Sequence, residues 1–205
     1  MPLETPPNPG LATLTATIAA AQTGQVISFP TDTVPALGVQ PEQSAQVFAL
    51  KGRSLAKPLI LMVSRLGDIL PWVDAPDRPT WDQWQQMADR HWPGALTLVL
   101  PVGAKGQALA QCLNPQTPTT LGFRVPNHAL ALDLLQATGP LATTSANRSG
   151  EPALEDPRAI AQAFPTVTVL DPGPSPPGSG LPSTVAQWTP SGWQVLRQGS
   201  VTLSP

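Results

Sequence analysis

Apolar residues in this chain alternate between short continuous runs and stretches where they recur every three or four positions, which predicts strands interleaved with helices. Leu11, Leu14, Ile18 and Ala21 have helical spacing, and Val26-Ile27-Ser28-Phe29-Pro30 follows after Gly24 as a strand. Pro41 is placed to open a helix that carries Ala45, Val47 and Phe48 and ends at Lys51, beside Gly52. Leu59 to Val63 is an apolar run of strand length. Thr80-Trp81-Asp82-Gln83 has the form of a capping box, with Trp81, Trp84 and Met87 or Ala88 marking one helix face to about Arg90. Leu96 to Leu100 and Leu121 to Val125 read as buried strands. Asn127 is a candidate cap for a helix whose apolar face uses Leu130, Ala131, Leu134 and Leu135. Leu141 to Thr144 reads as a short strand and Asp156-Pro157 as a helix start. Val167 to Leu170, Val185 to Trp188 and Val195 to Arg197 are the remaining strands. Apolar runs of this kind, buried on both faces, predict an α/β domain with a mixed sheet.

Length and composition narrow the picture. The 205 residues suffice for one substantial core, and no linker-like stretch divides them. A flexible tail over residues 1–10 and a single domain over 11–205 are expected. Lys and Arg number 11 against 13 Asp and Glu, a formal charge of −2, and no basic cluster appears, which argues against broad electrostatic contact with nucleic acid. With Cys112 as the single cysteine there is no disulfide framework and no thiolate metal cluster. The N-terminus lacks a leader pattern and no apolar stretch is long enough for a membrane span, so a soluble, cytoplasmic protein is expected. The 27 Pro and 16 Gly punctuate a folded domain, and Pro172 to Pro182 reads as a long flexible loop.

Four segments carry candidate chemistry: Pro30-Thr31-Asp32-Thr33-Val34, Lys51-Gly52-Arg53, Ser145-Ala146-Asn147 and Ser183-Thr184-Val185. Lys51 and Arg53 flank a glycine at a helix end, where they can grip a triphosphate or merely offset the helix dipole. No Gly-x-x-x-x-Gly-Lys-Ser/Thr loop is present, so bound ATP would sit outside the P-loop class. The polar segment Thr143 to Gly150 suits ribose or an anion as well as an ordinary turn. Arg124 interrupts an apolar strand and needs a partner: a substrate carboxylate or phosphate, or Asp32, Asp133 or Asp171. Asp32 can meet a magnesium-bound phosphate or order a turn. His91 reads as a helix-exit residue, and His128 has no ligand partner at zinc spacing. The six tryptophans read as packing rather than a base-stacking platform.

Together and in this order, the four segments resemble the YrdC/Sua5 family, the threonylcarbamoyl-adenylate synthases. Further matching segments are Lys57-Pro58-Leu59-Ile60, Trp92 to Thr97, Gly122 to Pro126, Ser149-Gly150 and Leu196 to Gly199. The resemblance implies a twisted mixed sheet with flanking helices around a concave cavity. It also implies a synthase that makes threonylcarbamoyl-AMP and pyrophosphate from L-threonine, bicarbonate or CO2, and ATP with Mg2+. A separate transferase complex then modifies adenosine 37 of tRNA. By the same resemblance Lys51 and Arg53 are catalytic. Lys51, Arg53, Thr120, Ser145, Asn147 and Arg197 surround the nucleotide, and Thr33, Arg124, Thr143 and Ser183 enclose threonine. No metal site made of protein ligands alone is implied; Mg2+ comes with ATP, with Asp32 as the one candidate contact.

The chain departs from the family pattern where Pro35-Ala36 replaces Tyr-Gly, and Lys57 and Met62 stand where longer members carry Asn and His. It resembles the single-domain form. Two other readings stand beside the synthase: a paralogue that binds RNA or nucleotide without making the adenylate, and a carbamoyl-transferring domain like that of hydrogenase maturation proteins.

Overall fold

The computed structural model describes residues 10–75 and 77–203. Apart from Gly10, the expected N-terminal tail lies outside them. Helix α1 (Leu14–Gln22) begins where Thr13 Oγ1 accepts the Ala16 N–H at 3.1 Å, so Leu11 precedes it. Strands β1 (Ile27–Phe29) and β2 (Ala36–Val39) follow. Pro41 opens a 3-10 turn rather than the helix itself, which is α2 (Ala45–Lys51). Next come β3 (Ile60–Met62), α3 (Arg78–His91), β4 (Leu96–Pro101), α4 (Gln107–Leu113) and β5 (Thr120–Arg124). The chain continues through α5 (Ala129–Thr138), β6 (Leu141–Ser145), α6 (Pro157–Ala163), β7 (Thr168–Val169), β8 (Thr184–Thr189) and β9 (Gly192–Arg197).

Two helix starts differ from expectation. In α3 the cap is Asp77, whose carboxylate accepts the Thr80 N–H at 2.8 Å, so Thr80 sits inside the first turn. Before α5 the flanking residue is His128, because the Asn127 N–H donates to Asp32 Oδ1 at 3.0 Å and its side chain makes no cap.

One mixed sheet holds the strands in the order β7-β1-β2-β6-β3-β5-β4-β8-β9, with parallel pairs β1/β7, β3/β5 and β4/β8. Side-chain alternation then sorts the residues by face. On one face Leu37, Ala142, Leu61, Phe123 and Leu98 join Val47 and Phe48 of α2 and Trp84 and Ala88 of α3 in the larger core. On the other, Ile27, Phe29, Ala36, Met62 and Leu141 pack with Ala20 and Ala21 of α1 and Ala131, Leu134 and Leu135 of α5. The second pair of helices covers the β1-β2 end. The rest of that face is left to a cavity.

Trp81, Trp84, Trp188 and Trp193 form edge-to-face contacts with centroids 6.3, 6.2 and 5.2 Å apart, tying α3 to the β8/β9 hairpin. These four rings serve packing, as their spacing in sequence suggests. No helix among the described residues is long and apolar enough to cross a membrane.

Candidate active site

Strand pairing carries one row of residues across the sheet. Ala36 faces Ser145, Thr143 faces Ile60, Ile60 faces Gly122, and Met62 faces Arg124. Leu98 pairs with Phe123, which sets Thr97 against Arg124; Thr97 pairs with Val185, and Val185 with Arg197. Apart from Leu98 and Phe123, which turn to the larger core, these lie on one face, and most of them line a cavity of about 630 Å³. That volume is in the range of small-molecule sites. Gly122 lets Ile60 and Thr97 close over it on this face, since a Cβ there would come 2.9 Å from Ile60 Cγ2 and 3.4 Å from Thr97 Cγ2.

One end is organised by Arg124, which is 3% exposed. Its Nε donates to Gly94 O at 3.0 Å, Nη1 to Thr33 Oγ1 at 2.8 Å and Nη2 to Asp32 Oδ1 at 2.6 Å. Asp32 is therefore its structural partner, while an N–H on each Nη atom stays unused by these bonds. Burial is the main influence lowering the Arg124 pKa; Asp32 opposes it and Arg197 adds to it. Thr33 is buried, its hydroxyl 3.0 Å from that of Thr31. Ser183 Oγ and Thr97 Oγ1 lie 2.9 Å apart, and the Thr143 hydroxyl reaches Ile60 O only at 3.4 Å. Segment 172–182 is seated on this end: Ser179 N donates to Asp32 O and Gly180 N to Thr33 O, each at 3.0 Å.

At the other end Gly52 (φ 56°) closes α2 and turns the chain so that Arg53 reaches the cavity. Arg53 is braced by Nε on Lys57 O at 2.8 Å and Nη2 on Pro58 O at 2.9 Å. Burial and then Arg197 lower its pKa. Arg197 is held through Nε and Nη2 on Ser183 O, at 3.2 and 2.8 Å. Lys51 lies beneath this rim, not on it: its Nζ donates to Ser145 O and to Asn147 Oδ1, the latter at 3.1 Å. Burial first and Arg53 second push Lys51 down to about 7. Asn147 Nδ2 in turn donates to Arg148 O and Glu151 O at 2.9 and 2.6 Å.

Of the sequence-derived candidates, Thr33, Arg53, Arg124, Thr143, Ser145, Ser183 and Arg197 line the cavity. Lys51 and Asn147 support it from behind. Thr120 is outside the lining; Asn114 Nδ2 donates to its carbonyl at 3.2 Å, at the start of β5. Sequence reasoning missed Thr97, although the single hydroxyl in Leu96-Thr97-Leu98 signals it by alternation. The lining carries Arg53, Lys57, Arg124 and Arg197 and no carboxylate. Such a cavity selects anions. Among the described residues no group of three or more His, Cys, Asp or Glu is placed to hold a metal ion.

The family model of the Sua5/YciO/YrdC domain, described as "Telomere recombination", matches residues 19–199. The chain belongs to this family. Threonylcarbamoyl-AMP synthase of Rattus norvegicus is 34% identical over 198 residues, covering 91% of this chain and 66% of the rat protein. The Bacillus subtilis enzyme of the same name is 31% identical over 190 residues, covering 90% of this chain and 52% of its own. The structure of P. abyssi Sua5 complexed with L-threonine superposes with a TM-score of 0.77 at 27% identity, over 91% of this chain and 54% of that one. This member of the Sua5/YciO/YrdC family thus spans between half and two thirds of the length of these relatives. The comparisons bear out the twisted mixed sheet and the family resemblance read from the sequence.

Proposed function

We propose that this chain is an L-threonylcarbamoyladenylate synthase, a nucleotidyltransferase that makes threonylcarbamoyl-AMP and pyrophosphate from L-threonine, bicarbonate or CO2, and ATP. One observation carries the reading. A single cavity, free of carboxylates in its lining, has a buried arginine with spare N–H groups at one end and two further arginines at the other. Such a lining suits a carboxylate at one end and a polyphosphate at the other.

In this reading one domain over residues 11–205 holds both ends. The threonine carboxylate takes the unused N–H groups of Arg124, and Thr33, Thr143 and Ser183 orient its amine and side chain. Arg53 and Arg197 meet the phosphates, Ser145 the nucleotide. Lys51 is catalytic through the charge it holds under Ser145 and Asn147, and a contact at Thr120 rests on the family resemblance. The amine captures bicarbonate or CO2 as a carbamate, whose oxygen attacks the α-phosphorus of ATP. Arg53 and Lys51 offset the charge of the departing pyrophosphate. No covalent enzyme intermediate is needed, and Cys112 has no part in it.

The residues present do not make a resident metal site, since Asp32 Oδ1 already accepts from Arg124 and from the Asn127 N–H. In this reading Mg2+ would arrive with the ATP. The product would pass, in the cytoplasm, to a transferase that modifies adenosine 37 of tRNA.

Incubation of the protein with ATP, Mg2+, L-threonine and bicarbonate, followed by mass spectrometry, tests the proposal. A product at the mass of threonylcarbamoyl-AMP that requires every component supports it. ATP binding with no adenylate and no pyrophosphate overturns it, and salt-sensitive RNA binding would then favour the paralogue.

A further inference from the structure

Thr97 lines the cavity, yet the synthase reading gives it no task. Its side chain is fixed from two sides. The methyl group packs where Gly122 has no side chain, since a Cβ added there would come 3.4 Å from Thr97 Cγ2. The hydroxyl lies 2.9 Å from Ser183 Oγ. Strand register brings the two oxygens together: β4 runs parallel to β8 with Thr97 opposite Val185, and Ser183, two residues earlier, shares that face. Thr97 is 1% exposed and Ser183 5%, so Ser183 carries more of the pair's open surface.

A hydrogen bond between two hydroxyls can run either way, and the surroundings choose its direction. Among the described residues the Thr97 hydroxyl bonds to Ser183 Oγ alone, so a Thr97 that only accepted would bury its own hydrogen without an acceptor. Ser183 Oγ already accepts an N–H from Arg197 Nη2 at 3.3 Å. With Thr97 donating as well, both lone pairs of Ser183 Oγ are occupied and its hydrogen is the group left over. A serine in that state donates to a ligand and has nothing with which to accept from one.

We propose that Thr97 is a positioning residue that commits Ser183 to donate, so that Ser183 reads the side-chain hydroxyl oxygen of the bound amino acid and not its ammonium. The inference rests on the synthase reading, in which Arg124 takes the carboxylate. Thr97 stands between the two contacts, set against Arg124 by the β4/β5 register and beside Ser183 by the β4/β8 register. An amino acid docked on Arg124 and lying across Thr97 brings its side chain to Ser183. The pair then selects β-hydroxy amino acids. Valine, which has a methyl group in place of the hydroxyl, leaves the Ser183 hydrogen without an acceptor and is rejected for that reason.

The test is calorimetric titration of L-threonine and L-valine into wild type, Thr97→Val and Thr97→Ser, with adenylate formation followed at graded threonine. Thr97→Val keeps the shape and removes the donor. It is expected to weaken threonine binding about tenfold and to leave valine within about threefold, so that the preference for threonine collapses. The KM for threonine should rise by the same factor while kcat and ATP affinity hold within about threefold. Thr97→Ser, which keeps the hydroxyl, should restore the preference. In a Ser183→Ala background, Thr97→Val should change threonine binding by less than about twofold. Thermal unfolding of each variant guards against misfolding; if Thr97→Val does not fold, Thr97→Ala decides by the same comparison. An equal loss for threonine and valine, a full effect in the Ser183→Ala background, or a wild type that binds threonine no better than valine overturns the proposal. Adenylate formation with any of those results leaves the synthase reading standing. A Thr97-dependent preference for threonine in a wild type that makes no adenylate supports the pair and overturns the synthase reading instead.

Discussion

Asp32 Oδ1 lies 2.6 Å from Arg124 Nη2, and the same oxygen accepts the Asn127 N–H at 3.0 Å. One carboxylate therefore neutralises a guanidinium inside the sheet and fixes the turn before α5. It leaves one N–H on each Nη atom of Arg124 unused by these bonds.

Asp32→Asn removes the charge and keeps the shape. Breaking a buried pair from one side leaves the other charge uncompensated, so the variant should lose about 3 kcal/mol of stability in urea unfolding. If threonine docks on Arg124, its carboxylate replaces the missing anion. Added threonine should then raise the melting temperature of Asp32→Asn by more than it raises that of the wild type. Equal shifts would separate Arg124 from the threonine site.

Arg53→Ala tests the phosphate end. The bonds it deletes go to the backbone carbonyls of Lys57 and Pro58, which can turn to water, so unfolding should move by about 1 kcal/mol or less. If Arg53 meets the leaving pyrophosphate as proposed, adenylate formation should fall by about two orders of magnitude or more. Unchanged turnover would remove Arg53 from the site.

Much of this arrangement could be read from the chain, and the parts that could not have physical reasons. Continuous apolar runs such as Leu96 to Leu100 and Leu121 to Val125 became strands because either face of the sheet buries them. Strand β2 escaped because Pro35 precedes it and Ala36-Leu37-Gly38-Val39 is short, with Gly38 needed where a Cβ would come 2.8 Å from Phe29 Cε1. Helix α4 escaped because Gln107 to Leu113 has too little apolar periodicity. For Arg124 the chain offered several partners, and only the folded arrangement, which brings the β1–β2 connection to the end of β5, selects Asp32. The resemblance brought Lys51, Asn147 and Thr120 to the nucleotide as a group. Spatially they divide, because Lys51 and Asn147 satisfy each other behind Ser145, whereas Thr120 lies four residues up the strand from Arg124.

Segment 172–182 has a steric requirement at Gly178, where a Cβ would sit 2.2 Å from Thr33 O and 2.7 Å from Thr31 O. Gly178→Ala should push the segment off the threonine end and raise the KM for threonine severalfold, with a smaller effect on ATP. The same segment is a candidate lid. Leu181 is 57% exposed, so thermolysin offers a direct probe. ATP plus threonine should slow cleavage there in the wild type; cleavage at an unchanged rate would remove the lid.

Lys51 gives the pH dependence. Buried beneath Ser145 and near Arg53, its ammonium has a pKa pushed down to about 7, against an ordinary value of 10.5. In the free protein at about pH 8 it is largely neutral. A triphosphate at Arg53 adds negative charge beside it and favours the ammonium, so ATP binding should take up a proton. Calorimetry in HEPES and in Tris at about pH 8 should reveal that uptake as a buffer-dependent enthalpy, shrinking toward zero at about pH 6, where Lys51 is already charged. The unfolded chain keeps the ordinary pKa, so between about 7 and 10.5 it binds more protons than the folded one, and folded stability rises with pH in that window. Below about 7 both states are protonated and the penalty is constant. Lys51→Met should abolish both the proton uptake and this slope. Proton uptake that persists in Lys51→Met would assign it to another group and leave Lys51 with a packing role alone.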